Sequence, residues 1–298
     1  MTIEELQQHM FIGNMGAIKP ITDIRDHTML FKVADNSDIP ESYESPLPKV
    51  IHDQGQNGIC TNSAYGYWQE RQNELKTGKY IPFSQTYIYA HKDDPNSSGM
   101  QLRDTLKLAT SIGLCENEYF PFIADVPEII DDLHNSDQVT IDANAIKYRP
   151  KGYAQLTNID DVKRAIIKYS YVYLAIPWFS DAGYESVDIS TNPYDYENII
   201  YAGKEIYGYH AIIAYGFDSH GLKVVNTWGS EWSKNGTAVL SKDYPILEYW
   251  AIYGDMVEPQ NNPSPVPDTI IVKPSDNPIY QLIAKLVNWV VNLFTKNK

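Results

Sequence analysis

The sequence predicts an α+β fold of two lobes, with helices early in the chain and an antiparallel sheet after them. Two early stretches have helical composition, one from Cys60 to about Lys76 and one from about Gln101 to Ser111. From about residue 138 onward, β-branched and aromatic residues alternate in YSYVYLAIP, YHAIIAYGF, LKVVNTW and GTAVL, as is typical of strands. Separate runs of helices and strands favour an α+β domain with a cleft between its lobes.

The first predicted helix has a defined beginning and end. Its run from Cys60 carries Ala64, Trp68 and Leu75 among helix-forming Gln and Glu residues, and Gly78 is a stop signal. This placement puts the Cys60 thiol at the positive end of the helix macrodipole.

Two local signals lie in the second half of the chain. Thr157 and Asp160 stand at capping-box spacing before the apolar end of LTNIDDVKRAII, so one further helix is expected there. The Asn235-Gly236 step predicts a tight turn that joins two strands.

Composition limits the classes of function. At 298 residues and 43% hydrophobic content, the chain can bury a full core. Its formal net charge of −14 argues against a nucleic-acid partner, because such binding depends on Lys and Arg neutralising phosphates. Two cysteines, Cys60 and Cys115, make no disulfide framework, which favours a reducing compartment. The amino terminus lacks the features of a signal peptide, so cytoplasmic synthesis is expected.

Four residues have the types and contexts of a thiol-dependent site. A free thiol is mostly protonated at neutral pH, so a catalytic cysteine needs a helix N-terminus or a cationic neighbour to hold the thiolate. His210, on an apolar strand, would supply that cation and exchange protons. Gln54 precedes Cys60 by six residues, and Asn226 follows His210 by sixteen.

The sequence around these residues resembles papain-type cysteine peptidases. The matching stretches are VIHDQGQNGICTNSAYGYWQERQNEL, GMQLRDTLKLATSIGLCENEYFPF and YGYHAIIAYGFDSHGLKVVNTWGSEW. The resemblance spans about residues 40 to 250, and both intervals given above match the family. It implies a papain-like two-lobed fold, with the nucleophile on the helical lobe and the His and Asn on the sheet lobe.

The resemblance also implies a role for each catalytic residue. Cys60 would be the nucleophile, His210 the base and acid, and Asn226 the residue that orients the imidazole. The Gln54 side-chain amide and the Cys60 backbone N–H would form the oxyanion hole. Trp228 would shield the His-Asn hydrogen bond from water.

Substrate-binding residues are also implied by the resemblance. Gly99 would bind the substrate backbone, and Ser98 and Gly99 together replace the usual Gly-Gly. Ala211 would shape the pocket for the second residue before the cut, and Trp228 is expected among the substrate-binding residues as well. Thr61 directly follows Cys60, and this Cys-Thr step resembles the nucleophile motif of a bacterial subgroup of the family.

The expected function is a cysteine endopeptidase that hydrolyses polypeptides through an acyl-enzyme, with no cofactor and no metal. Two alternatives stay open: a thiol acyl-transfer enzyme of the transglutaminase or cell-wall amidase type, and a non-catalytic papain-fold binding protein. Asn226 and Gln54 count against the first, because those enzymes often orient their histidine with aspartate. The intact catalytic set counts against the second.

The chain is expected to contain four parts. Residues 1–40 form an N-terminal segment that either covers the cleft as a propeptide does or packs on the domain surface. Residues 41–257 form the peptidase domain, and the Pro-rich residues 258–278 form a stiff linker. Residues 279–298 predict an amphipathic helix that is too short and polar to span a bilayer securely. Its expected partner is either a membrane surface or another protein.

Overall fold

A computed structural model of the protein describes residues 16–18, 39–94, 97, 99–122, 126–179 and 206–254. Within these ranges no helix combines the length and apolar character that crossing a membrane requires. The predicted linker 258–278, the predicted helix 279–298 and most of segment 1–40 lie outside the described residues, so these assignments stay predictions.

Helices dominate the first half of the described chain and strands the second, as the sequence predicts. The helices are α1 (Cys60–Thr77), α2 (Tyr87–Ala90), α3 (Leu102–Ile112), α4 (Val126–Asn135), α5 (Gln138–Ala145) and α6 (Ile159–Tyr169), with a 3₁₀ turn at Ile146–Tyr148. The strands are β1 (Tyr43–Glu44), β2 (Gly152–Leu156), β3 (Val172–Phe179), β4 (Ile206–Phe217), β5 (Gly221–Val225), β6 (Thr237–Ser241) and β7 (Glu248–Tyr253).

The strands form a sheet in the order β2-β7-β3-β4-β5-β6, and β1 pairs with β4. Every pairing between these strands is antiparallel. In the centre, His210 of β4 lies opposite Ile176 of β3, and Ile213 of β4 lies opposite Val225 at the end of β5. Asn226 directly follows β5, so the sheet topology brings it to the end of β4 that carries His210.

The two faces of the sheet bury different clusters of side chains. On β3, Tyr173 and Ala175 pack into a cluster with Trp68 of the helical lobe. Leu174 and Ile176 point the other way, into the cluster beneath α6, because successive side chains of a strand alternate between faces. The central strands are therefore covered on both sides and form a rigid support for the site.

Helix α1 begins at Cys60 and ends at Gly78, as predicted. Gly78 adopts the left-handed conformation with φ 71°, and its N–H donates to the Glu74 carbonyl at 2.8 Å. At the other end of the helix, the Tyr173 hydroxyl of β3 donates to the Thr61 carbonyl at 2.7 Å. The sheet thus contacts the first turn of α1 directly.

The expected change to strand pattern at residue 138 is wrong. Residues 138–145 form helix α5, and the Asp137 carboxylate caps it by accepting a hydrogen bond from the Thr140 N–H at 3.3 Å. Such a cap satisfies a backbone donor of the first turn, and this outweighs the strand preference of the β-branched residues that follow. Strand structure after this helix begins at Gly152.

The helix predicted from LTNIDDVKRAII is present, but its cap is one residue later than expected. Helix α6 begins at Ile159, and the Asn158 side chain accepts a hydrogen bond from the Asp161 N–H at 2.9 Å. Asn158 therefore fills the capping role that the sequence analysis gave to Thr157.

The Asn235-Gly236 step forms the predicted turn, with φ of 51° and 74°. It connects Lys234 to Thr237, which form an isolated antiparallel pair. The turn therefore leads into β6, whereas a longer segment joins β5 to β6.

Gly113→Ala is expected to destabilise the protein more than Gly78→Ala, although each glycine ends a helix at positive φ. A Cβ on Gly113, at φ 86°, would lie 1.9 Å from the Ala145 carbonyl oxygen, whereas a Cβ on Gly78 meets nothing within 4 Å. We expect a loss of about 1 kcal/mol for Gly78→Ala and about 3 kcal/mol for Gly113→Ala. Urea unfolding of both variants measures the two losses, and equal values would contradict the packing described for α3 and α5.

Candidate active site

Cys60 is the first residue of α1 and is fully buried, with 0% exposure. The preceding residue, Ile59, provides no side-chain cap, although its carbonyl accepts the N–H groups of Asn62 and Ser63 at 3.0 Å. The first-turn N–H groups and the macrodipole favour negative charge at this end of a helix. The helix therefore delivers the thiol to the position where an anion is best stabilised.

Two other parts of the chain contact the Cys60 sulfur. The Gly16 N–H donates to Sγ at 3.3 Å, and the backbone of Ala211, the residue after His210, also hydrogen-bonds the thiol. Burial nevertheless outweighs these bonds and raises the pKa of the Cys60 thiol to about 11. In the covered site the thiol is therefore neutral at neutral pH, in contrast to the thiolate that the sequence analysis expects of an active enzyme.

His210 and Asn226 form the predicted hydrogen bond. His210 Nε2 donates to Asn226 Oδ1 at 2.6 Å, and both residues are fully buried. The same Oδ1 accepts the Thr227 N–H at 2.7 Å, while the Asn226 N–H donates to the Gly236 carbonyl at 2.8 Å. Two donors on one oxygen fix the orientation of the amide, which in turn fixes the imidazole ring.

Aromatic rings surround this hydrogen bond. The Trp228 ring lies 4.6 Å from the His210 ring between centroids, and Trp178 of β3 lies 5.7 Å from it. The two indoles contact each other edge to face at 4.7 Å. Trp228 thus has the shielding position that the sequence analysis predicts, and Trp178 adds a second shield.

Gln54 is buried beside the loop that carries Asn226. Its backbone N–H donates to the Thr227 carbonyl at 2.8 Å, and its side-chain Oε1 accepts a hydrogen bond from the Thr227 hydroxyl. Its Nε2 donates to the Asn57 carbonyl at 2.6 Å. The side-chain amide is therefore held between the Asn57 carbonyl and the Thr227 hydroxyl.

Residues 16–18 lie across the cleft. The Ala17 N–H donates to the Tyr209 carbonyl at 3.3 Å, the Met100 N–H donates to the Gly16 carbonyl at 2.8 Å, and the Ile18 N–H donates to the Met100 carbonyl at 3.0 Å. Ala17 and Met100 pair in the parallel sense. The segment therefore bridges the helical lobe and strand β4 directly over Cys60.

Gly16 is packed between the two walls of the cleft. A Cβ at this position would lie 1.6 Å from the Gly58 carbonyl oxygen. On the other wall, a Cβ on Gly99 would lie 2.3 Å from the Gly16 carbonyl oxygen. Gly99 thus contacts a peptide backbone, although the backbone is that of this chain, and Ser98 lies outside the described residues.

A cavity of about 270 Å³ opens beside the Gly99 edge of the cleft. The residues that line it include Ile18, Lys92, Asp93, Asp94, Met100 and Asp104. Because both signs of charge occur on its wall, the cavity indicates no preference for a charged substrate side chain.

The structure brings Cys60, Gln54 and the His210-Asn226 pair into one buried region, together with Ala211 and Trp228. The sequence analysis missed residues that support this region, among them Trp178 and Thr227. Trp178 directly follows the predicted strand YSYVYLAIP, and a tryptophan beside a strand is also typical of an ordinary core. Thr227 lies inside the stretch YGYHAIIAYGFDSHGLKVVNTWGSEW quoted above, where nothing in the pattern indicates a contact of its hydroxyl.

Comparison with known proteins gives one curated relative at the sequence level. The chain is 25% identical over 210 residues to a protein of Acanthamoeba polyphaga mimivirus described as "Uncharacterized peptidase C1-like protein L477". The match covers 64% of this chain and spans 64% of the length of that relative. No protein-family profile matches the chain.

Solved structures of cysteine proteases share the fold. Xylellain, a cysteine protease from Xylella fastidiosa, matches 80% of this chain and 96% of its own with a TM-score of 0.68 at 19% identity. A procathepsin B from Trypanosoma congolense matches 85% of this chain and 96% of its own with a TM-score of 0.62 at 15% identity. The chain has the papain-like α+β fold, which confirms the prediction. The narrower bacterial subgroup stays a prediction.

Cys60 of the full chain is expected to react slowly with iodoacetamide at pH 7, because the covered thiol is neutral and buried. The rate should rise as the pH approaches the pKa of about 11, since ionisation produces the reactive thiolate. Gly16→Val, which cannot fit against Gly58, should expose the thiol and speed alkylation at pH 7 by about tenfold or more. Mass spectrometry of the Cys60 peptide measures the rate.

The matched control for this experiment is Gly78→Ala, at the far end of α1, where the added Cβ meets nothing within 4 Å and the expected loss of stability is only about 1 kcal/mol. This variant should alkylate at the slow rate of the full chain. Equal rates in the full chain and in Gly16→Val would show that residues 16–18 do not restrict access to Cys60.

Proposed function

We propose that the chain is a cysteine endopeptidase that hydrolyses peptide bonds through an acyl-enzyme formed on Cys60. One observation carries this proposal. The Cys60 thiol lies at the start of a helix and hydrogen-bonds the backbone of Ala211, so it is adjacent to His210, whose ring is oriented by Asn226 at 2.6 Å. The proposal assigns these three side chains the roles of nucleophile, base and orienting residue that thiol-dependent acyl transfer needs.

In the proposed reaction, the Cys60 sulfur attacks the carbonyl carbon of the peptide while its proton passes to His210. Because Nε2 is hydrogen-bonded to Asn226, Nδ1 is the ring nitrogen assigned to this exchange. The imidazolium then gives the proton to the leaving amine as the C–N bond breaks, which leaves a thioester. Water, deprotonated by His210, attacks the thioester, and the departing sulfur regains a proton.

Gln54 is assigned to the oxyanion that forms during both attacks. Its amide oxygen accepts from the Thr227 hydroxyl and its nitrogen donates to Asn57, so the side chain is held at both ends. The amide nitrogen of Gln54, with the Cys60 N–H, would stabilise the oxyanion. One such donor typically contributes about 10²–10³ in rate.

We further propose that residues 16–18 hold this enzyme in a latent form. The atom of Gly16 that faces the sulfur is its amide nitrogen, at 3.3 Å. Its carbonyl oxygen is bound by the Met100 N–H at 2.8 Å. Because that carbonyl is already hydrogen-bonded to Met100, we assign the segment the role of a cover over the thiol and not that of a substrate.

The names of the matched proteins support a polypeptide substrate, since xylellain is described as a cysteine protease and the mimivirus relative as peptidase C1-like. The hydrogen bond of His210 to an asparagine favours the peptidase over acyl-transfer enzymes that orient histidine with aspartate.

Gly16→Val in the full chain is expected to cleave denatured casein, because it uncovers Cys60 without altering the catalytic residues. The unmodified chain should cleave it at least about tenfold more slowly. Gly16→Val combined with Cys60→Ala should not cleave at all. Gel and mass analysis of the fragments measures these rates.

Each remaining outcome favours a different function. Equal cleavage by the Cys60→Ala form would disprove the assignment of the nucleophile. Amine incorporation without cleavage would favour the acyl-transfer enzyme. No turnover by Gly16→Val, with Cys60 open to alkylation, would favour the binding protein.

A further inference from the structure

A buried histidine outside the catalytic set is anchored on helix α1. His52 is 4% exposed, and its Nδ1 lies 2.9 Å from the Ser63 carbonyl oxygen. On the other side of the ring, Nε2 lies 3.0 Å from Glu70 Oε1. The ring also stacks on Tyr67, with centroids 4.1 Å apart and planes 15° apart.

These contacts favour the protonated form of the His52 ring. A carbonyl oxygen only accepts hydrogen bonds, so Nδ1 carries a proton, and Nε2 faces a carboxylate. Burial alone would lower the pKa of His52, but the charge and hydrogen bond of Glu70 outweigh it and the pKa is raised. The site also requires Gly66, since a Cβ there would approach the ring Cε1 to 3.0 Å.

The backbone of this anchored histidine contacts the loop that carries the orienting asparagine. The His52 N–H donates to the Tyr67 hydroxyl at 2.7 Å, and that hydroxyl donates to the Asn226 carbonyl at 2.8 Å. The His52 carbonyl in turn accepts the Gly229 N–H at 2.8 Å. The helical lobe therefore contacts both ends of the segment from Asn226 to Gly229.

The position of Asn226 depends on few backbone contacts. It lies just after β5, beyond the regular strand pairing, and its N–H is held by the Gly236 carbonyl. The carbonyl is held by the Tyr67 hydroxyl, and Tyr67 is itself fully buried. A buried hydroxyl that accepts one backbone hydrogen bond and donates another has a single favourable position, so it sets the location of the Asn226 carbonyl.

We propose that Tyr67 is a positioning residue for the reaction proposed above. Its hydroxyl, fixed by the anchored His52 backbone, holds Asn226 at the distance at which the asparagine orients His210. Tyr67 contacts none of the reacting atoms, and its catalytic meaning rests on the proposed function.

The test compares Tyr67→Phe with Tyr87→Phe in the full chain. Each change removes one hydroxyl from a fully buried ring, and the Tyr87 hydroxyl donates to Asp142 Oδ1 at 2.6 Å, a contact between α2 and α5. The first readout is nitrogen-15 NMR of labelled histidines. It would measure how fast the Nε2 proton of His210, which is hydrogen-bonded to Asn226, exchanges with water. We expect about tenfold faster exchange in Tyr67→Phe and no change in Tyr87→Phe.

Steady-state kinetics in the Gly16→Val background give a second readout. Tyr67→Phe should lower kcat about tenfold with KM unchanged, because a displaced catalytic group slows the chemistry without weakening binding. Tyr87→Phe should leave both parameters at the parent values.

The two proposals fail in different ways. If Tyr67→Phe leaves the exchange rate of the His210 Nε2 proton unchanged, or leaves kcat unchanged, the positioning role is overturned even if the enzyme is active. If the Gly16→Val parent cleaves nothing, the proposed function fails, and the proton exchange still decides whether Tyr67 positions the His-Asn pair.

Discussion

The Cys60 sulfur is buried between the first turn of α1 and the backbone of β4. The rest of the site depends on this contact. The Ala211 backbone hydrogen-bonds the thiol, and His210 precedes Ala211 in the same strand. The register of β4 therefore determines where the imidazole lies relative to the sulfur. Burial beneath Gly16 raises the pKa of the thiol to about 11, which keeps it neutral. In the proposed latent form, the burial that assembles the site would also keep the thiol unreactive while the cover is in place.

Two tyrosine hydroxyls cross between the lobes in opposite directions. Tyr173 of the sheet donates to the Thr61 carbonyl on α1, and Tyr67 of α1 donates to the Asn226 carbonyl beyond β5. Each bond contributes only about 1 kcal/mol of net stability, which is small beside the burial of the two cores. Their importance is geometric, because a preorganised site needs its donors and bases fixed before the substrate binds. The helix that begins at Cys60 thus also holds Asn226, the residue that is hydrogen-bonded to His210.

The candidate site residues stand out in the sequence because each is tied to a local element. A helix start points to Cys60, and an apolar strand with a fixed interval to its asparagine points to His210. The sequence left open whether the N-terminal segment covers the cleft, since the Gly16 contact reaches across 44 residues through backbone groups that leave no periodic pattern. The structural role of Tyr67 was also hidden, because an aromatic residue on a helix is typical of core packing. Residues 138–145 misled the analysis because the Asp137 cap outweighs their β-branched composition.

The central claim is that uncovering Cys60 converts a neutral, buried thiol into a thiolate paired with the His210 imidazolium. The most direct measurement is the ultraviolet absorbance of the thiolate in Gly16→Val between about pH 4 and 9, where tyrosines of ordinary pKa, about 10, stay protonated. Subtracting the spectrum of the same protein with Cys60→Ala isolates the signal of this sulfur. We predict that the thiolate forms below about pH 7, well under the ordinary thiol pKa of about 8.5. A thiol that stays protonated across this whole pH range, or that titrates at the ordinary value although reagents reach it, would contradict the account.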